Sequence, residues 1–425
     1  MIGSPLLIAE KARARLQAIL AAARDGSEAR QQTEVMRLPD PADLVITPCE
    51  VGPVHGTGTL LLRIFADSSS IISLRTHDYY DVKQEFGGAV LCLPLAQSAR
   101  AETSSWLRWY VAGTSVRRIL CLPYTPAEPT VALAAREMLG VPLCTYIMDD
   151  PNVCAHGIPD ELMHELLAKS RLRLVISPEM RNAYEKKYRM RFWVLPPVVA
   201  EQILRRTPVR PRDEAGCKRG VLLGNIWGQR WLDLLREVFA GGDVEIDWYC
   251  NQKKPHGLNY DRAELARDGI HQRDPVAEDD LPEVLAGYHF AVVPTDLLDG
   301  QSPLPVRAIA EFSLPSRMVT LMAVGHVPML VLGSPSTCAA SFVRRMQLGT
   351  VAPYERVAAR SAIEEILAPE VQAAIRERAA TLSGRFTADG VAEWIWRSLD
   401  AGKAATLDYE ELMANPSAFL SRQGN

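Results

Sequence analysis

The chain has almost no net charge, no closely paired cysteines and no long apolar run at its start, and each lack removes a class of function. Its 47 Lys and Arg stand against 51 Asp and Glu, a net charge of −4 over 425 residues. That balance gives no general field for a polyanion, so nucleic acid is not an expected partner. The eight cysteines, Cys49, Cys92, Cys121, Cys144, Cys154, Cys217, Cys250 and Cys338, include no C-x-x-C pair, and several lie inside apolar strand-like runs. They read as reduced core thiols of a cytoplasmic protein. The opening MIGSPLLIAEKARARLQAILAAARDG carries charges at helical spacing, so it is neither a signal peptide nor a membrane span. It reads as an amphipathic helix ending near Gly26, whose apolar face packs on its own domain in preference to a membrane. No short-period repeat and no metal-ligand cluster is visible.

What is present is an ordinary globular composition, 48% hydrophobic and 23% charged, in a chain longer than one core usually serves, which predicts two domains. From Leu44 to Trp193 the runs LVITPC, SIISLR, AVLCLP, RRILCLPY, VPLCTYIM and LRLVIS alternate with helical stretches such as EPTVALAAREMLG and DELMHELLAKS. Near-continuous apolar strands separated by helices predict a parallel sheet covered on both faces. Periodicity fades around Pro196–Gly220, where Pro, Arg and acidic residues accumulate, and resumes with RGVLLGNIWGQRWLDLLREVF. The strands VEIDWYC, GIHQRD, YHFAVVPT and HVPMLVLG follow, with SRMVTLMAVG as a helix. The expected architecture is α/β, two tandem doubly wound, Rossmann-like domains. Residues 1–200 form the first, 201–219 a linker and 220–394 the second, with terminal helices at 395–425 packing back on the first.

In such sheets ligands gather at the carboxyl ends of the strands, so the loops that follow strands are the ones to read. The loop His55, Gly56, Thr57, Gly58 allows close backbone approach and precedes a helix, although it is not G-x-G-x-x-G; a tight capped connection is its plainer reading. Asp149 and Asp150 end an apolar strand, where one can cap the next helix and the other bind ligand hydroxyls. His77 and Asp78 also follow a strand, in a stretch that reads equally as a polar turn. In the second half, Asn225 and Arg230 flank a turn after a strand, and an Arg fork suits a diphosphate. Ser316 and Arg317, in LPSRM, open a further helix aimed at the same phosphates.

The two Rossmann-like halves, the glycine loop after the first strand, LRLVISPEMRNAYEKKY, GVLLGNIWGQRWLDLL and LPSRMVTLMAVGHVPMLV resemble the GT-B glycosyltransferases of the large retaining, nucleotide-sugar-dependent group, over about Leu44 to Leu332. The resemblance implies a nucleoside diphosphate sugar donor on the second domain, a glycan or lipid-linked acceptor on the first, and reaction in the cleft between. Carried over by position, Arg230 contacts the donor diphosphate with Asn225 nearby, and Pro315–Arg317 presents N–H groups and a cation to it. Gly56, Thr57 and Gly58 line the cleft, and Asp149 sits at the first-domain site. His55 and Asp149 are the candidates that act on acceptor or sugar hydroxyls. Members of this kind need no bound metal or other cofactor, and polysaccharide biosynthesis is the expected setting. The expected location is cytoplasmic, with peripheral contact at the inner face of the membrane if the acceptor is lipid-linked.

The sequence departs from that pattern at two places. Members commonly carry E-x7-E; here Thr320 falls at the second acid, and Glu311 lies one residue too far upstream to be the first. The usual first-domain histidine is also missing near CLPYTP, where Tyr124 stands. These losses motivate a second expectation, a degenerate GT-B protein that binds nucleotide-sugar, glycan or a partner enzyme without turnover. A nucleotide-sugar epimerase of the same architecture is a third, although its cluster of acids and histidines is not apparent.

Overall fold

The computed structural model describes residues 38–80, 86–93, 100–211, 218–250 and 258–423. The amphipathic helix read at the start of the chain lies outside the described residues.

The apolar runs become strands because each is buried on both faces. In the first half β1 (Ala42–Thr47), β2 (Ile71–Arg75), β3 (Ala89–Cys92), β4 (Val116–Cys121), β5 (Leu143–Ile147), β6 (Leu172–Val175) and β7 (Trp193–Val194) form one parallel sheet, ordered β3-β2-β1-β4-β5-β6-β7. Every residue of β1 is buried, including Asp43, whose carboxylate is held by the forks of Arg117 and Arg118 at 2.9–3.1 Å. The second half repeats the design: β8 (Lys218–Leu223), β9 (Val244–Tyr249), β10 (Ile270–Arg273), β11 (Phe290–Pro294), β12 (Met329–Leu332) and β13 (Gly349–Ala352), ordered β10-β9-β8-β11-β12-β13. In both sheets the order turns around beside the first strand, β1 next to β4 and β8 next to β11. Loops leaving such a pair diverge to opposite faces and open a crevice at the carboxyl ends.

Two strands escape the sequence reading for a physical reason. β7 has only two residues, and β13, GTVA, is an edge strand with three half-exposed positions, so neither produces an apolar run. The stretch SRMVTLMAVG also differs from a plain helix. It is α-helical over Ser316–Thr320, widens to a π-turn over Leu321–Gly325 and stops at His326 in a left-handed conformation, φ +49°.

The terminal helices contact the first half. Trp396 lies 4.3 Å under the Arg118 guanidinium, and Glu410 accepts from the Val194 amide at 2.7 Å and pairs with Arg181. Strand-like bonds between Val199 and the Phe386 and Ala388 backbones mark where the chain returns.

Just beyond that crossing, the segment Arg205–Val209 is pinned to the π-turn through a buried imidazole. His326 Nδ1 accepts the Val209 amide at 3.1 Å and Nε2 donates to the Arg205 carbonyl at 3.0 Å. Both nitrogens serve the neutral ring, and burial holds its pKa down at about 4, against an ordinary 6.5. Between those two values the unfolded chain binds a proton that the folded chain refuses, so stability rises with pH there. The shift amounts to about 2–3 kcal/mol between pH 4 and 6.5. Urea unfolding across that window should show it, and His326→Asn, which tolerates the left-handed backbone and does not titrate, should flatten the profile.

Candidate functional site

The two domains meet where both crevices face each other. The helix Gly56–Ile64 after β1 comes against the helix Ser316–Thr320, so closely that a Cβ on Gly56 would lie 3.3 Å from Ser316 Oγ. Around this contact Ser177 Oγ donates to the Phe312 carbonyl at 2.5 Å, Arg63 pairs with Glu278 at 2.7 Å, and Glu179 pairs with Arg345 at 2.6 Å. Each of these bonds joins the first domain to the second.

His55 ends as part of the scaffold. Its Nδ1 accepts the Gly58 amide at 3.1 Å, capping the helix, so Nε2 carries the proton and donates to the Glu50 carbonyl at 2.8 Å. The ring stacks on Tyr80 at 4.8 Å, and burial holds its pKa below the usual histidine range. A ring with both nitrogens spent on backbone is a poor ligand for a substrate hydroxyl. The turn it caps needs its second glycine: a Cβ on Gly58 would overlap the Gly52 carbonyl oxygen and stand 2.7 Å from the Gly52 nitrogen. Gly58→Ala should therefore cost about 1–3 kcal/mol in urea unfolding. Gly56→Ala, which meets only a rotatable serine hydroxyl, should cost far less.

The hydroxyl of Thr57 continues into the cleft. Thr57 Oγ1 lies 2.6 Å from Tyr124 Oη, which donates to Asp149 Oδ2 at 3.0 Å. Because the tyrosine proton goes to the carboxylate, Thr57 supplies the other. One side chain after each of β1, β4 and β5 thus joins a single relay at the first crevice. Burial pushes the Asp149 carboxyl up, opposed by the hydroxyls of Ser313 and Tyr124. Asp150 does a different job: buried, it accepts the amides of Asn152, Val153, Cys154 and Ala155 and the Tyr184 hydroxyl, at 2.6–3.2 Å, which fixes the loop after β5.

In the second domain the two arginines read from sequence differ sharply. Arg230 is bidentate to Asp299, Nη1–Oδ1 2.8 Å and Nη2–Oδ2 2.6 Å, and the pair holds the Asp299 carboxyl down at about 2. Its fork is not free for a diphosphate in this arrangement. Among the described residues Arg317 has no carboxylate partner. Its Nη1 donates to the carbonyls of Leu223 at 3.0 Å and Asn225 at 2.5 Å, which fixes the guanidinium at the carboxyl end of β8. Burial lowers its pKa to about 10, still charged at neutral pH. Gly224, at φ +77°, keeps the strand end open beneath it.

Thr320 does not reach the site. It is buried, with its hydroxyl 3.4 Å from the Ser316 carbonyl and 3.5 Å from Arg63 Nη1, so Arg63 fills the space beside the position where the family pattern has its acid. The structure therefore brings together Gly56, Thr57, Asp149, Ser316 and Arg317, and diverts His55, Arg230 and Thr320 to internal partners. Sequence reading missed Asp299, although an acid following FAVVPT was a visible signal, and Ser313, which has no motif. Among the described residues no three His, Cys, Asp or Glu side chains are grouped as metal ligands, and no helix is long and apolar enough to cross a membrane.

This is the GT-B fold, two Rossmann-like domains facing across a cleft. Two solved structures show the similarity. HepE from Anabaena, in complex with UDP and glucose, aligns at 13% identity and a TM-score of 0.58, over 85% of this chain and 100% of that one. Sucrose-phosphate synthase from Thermosynechococcus elongatus aligns at 12% identity and a TM-score of 0.59, over 86% of this chain and 100% of that one. No protein-family model and no curated protein matches the sequence.

Proposed function

We propose that the protein is a hexosyltransferase-like glycosyltransferase that moves a sugar from a nucleoside diphosphate donor to a hydroxyl of a glycan or lipid-linked acceptor, with retention of configuration. The observation that carries this reading is Arg317, a cation fixed at the second crevice with no acid partner among the described residues, on the helix that packs against the first-domain helix carrying Thr57. The UDP and glucose bound by HepE support the same ligand class.

In this reading Arg317 stabilises the charge that grows on the diphosphate as the anomeric C–O bond breaks. The acceptor oxygen bonds to that carbon on the face the diphosphate leaves, and its proton passes to the departing phosphate oxygen, so no protein base is needed. Asp149, held by Tyr124, orients the acceptor or sugar hydroxyl. Arg230 joins only where Asp299 releases it. The reading assigns cations, not a metal, to the diphosphate charge. It places the protein in the cytoplasm, in polysaccharide biosynthesis, with membrane contact following from a lipid-linked acceptor.

A second reading, binding without turnover, is favoured by the buried Thr320 and the closed Arg230–Asp299 pair. A nucleotide-release assay across nucleoside diphosphate sugars, with cell extract as acceptor source, separates the two. Release with one donor supports transfer; binding with no release from any donor supports the degenerate protein.

A further inference from the structure

The loop Thr76–Tyr80 is held more firmly than a polar turn requires. It leaves β2 at the carboxyl end, and its first residue still pairs with β1, the Thr76 amide donating to the Thr47 carbonyl at 3.1 Å. The buried Glu50 carboxylate, in the loop after β1, accepts the amides of Tyr79 at 2.9 Å and Tyr80 at 3.2 Å. A second buried carboxylate, Glu128 in the first turn of the helix Ala127–Leu139, accepts the hydroxyl of Thr76. Burying a carboxylate costs free energy that its hydrogen bonds must offset, so two of them on one loop hold its residues in set positions.

Those bonds fix the tautomer of His77. Its Nδ1 lies 2.9 Å from Thr76 Oγ1. The threonine has one proton, and its other neighbours, the Glu128 carboxylate and the Pro48 carbonyl at 3.2 Å, only accept. That proton goes to the carboxylate, the stronger acceptor, so the imidazole donates Nδ1–H to Oγ1. Nε2 then carries a lone pair, and it meets no hydrogen-bond partner among the described residues. The half-buried ring therefore offers an acceptor at the carboxyl end of β2, in contrast to His55, whose two nitrogens are both taken. Glu128 also accepts the amides of Tyr124 at 3.1 Å and Thr125 at 2.6 Å. One carboxylate thus sets both Tyr124, which bonds Asp149, and Thr76, which bonds His77.

We propose that His77 is an acceptor-binding residue whose Nε2 receives a hydrogen bond from a sugar hydroxyl of the acceptor. This rests on the glycosyltransferase reading and adds a second hydroxyl contact to the one at Asp149. A free glycan and a lipid-linked sugar present the same hydroxyl chemistry.

Two measurements test the proposal. Long-range proton–nitrogen NMR of the full chain labelled at histidine, at mildly alkaline pH and with His77 assigned by its loss in His77→Gln, should show the proton on Nδ1. A proton on Nε2 overturns the inference whatever the activity. Nucleotide release with the donor that turns over is then titrated against the aqueous and the lipid fraction of cell extract. His77→Asn keeps a donor to Thr76 and loses the outer acceptor, so it should need about five- to tenfold more of the active fraction for half-maximal rate. His77→Gln, whose amide oxygen reaches the place of Nε2, should need about as much as the wild type. Donor hydrolysis without extract and the urea midpoint should be the same in all three proteins. The fraction that is active tells a free glycan from a lipid-linked acceptor. Equal dependence on extract in the wild type and His77→Asn overturns the inference, as does an equal loss in His77→Gln or a matching loss of hydrolysis without extract. A wild type that releases nucleotide from no donor, or no faster with either fraction, removes the underlying reading instead, so the two failures are distinct.

Discussion

Replacing Arg317 with alanine lowers donor turnover by about a hundredfold or more, the loss seen when a fixed group facing developing negative charge is removed. The guanidinium qualifies because its position is set in advance: two carbonyls at the end of β8 hold Nη1, and among the described residues no carboxylate competes for the remaining donors. Arg317→Lys keeps the charge and loses the fork, so it should recover only part of the rate. Arg230→Ala makes the contrast. Its fork is already committed to Asp299, so alanine there should change donor affinity far less than alanine at Arg317. Steady-state rates with the active donor, together with urea unfolding of each variant, separate a catalytic loss from a folding loss.

The second large effect is on stability. Asp150→Ala strips a buried carboxylate that satisfies four amides and the Tyr184 hydroxyl, and none of those donors has a replacement acceptor in place. The expected cost is about 3–5 kcal/mol, most of the margin by which a typical domain is folded. Asp149 is adjacent in sequence but accepts from the Tyr124 hydroxyl and not from the amides of its own loop, so Asp149→Asn should cost little stability and act on turnover. Urea midpoints of the two variants, measured side by side, check that division. Equal destabilisation by both would mean that Asp149 also serves the loop.

The fold was legible because a doubly wound sheet writes itself into sequence as buried strands. LVIT, RILC and AVVP announce β1, β4 and β11 through unbroken apolar runs, and their order gives two tandem sheets. β7 and β13 stayed hidden because short or half-exposed edges do not need such runs. The site was legible only in part. Position in a loop after a strand found Thr57 and Asp149, since the topology delivers those residues to the crevice; Ser316 and Arg317 were read the same way, but they follow the helix Leu304–Phe312 and not a strand. It could not show which polar side chains are already satisfied. His55 is spent on Gly58 and Glu50, and Arg230 on Asp299, by contacts that depend on how a loop folds back. Ser313 is the reverse case, a serine of no motif whose hydroxyl acts on the Asp149 carboxyl from the other domain. Tyr124, standing where the family has a histidine, shows a third kind of outcome. A phenol at that position links Thr57 to Asp149 instead of acting as a ligand itself.

The central claim is that a donor diphosphate binds at the carboxyl end of β8, on Arg317. A crystal structure of the protein soaked with the nucleoside diphosphate that shifts its melting temperature tests this most directly. The account predicts phosphate density within hydrogen-bond distance of the Arg317 guanidinium, with Asp149 across the cleft. Phosphate density elsewhere, with Arg317 still bonded only to the carbonyls of Leu223 and Asn225, would contradict it.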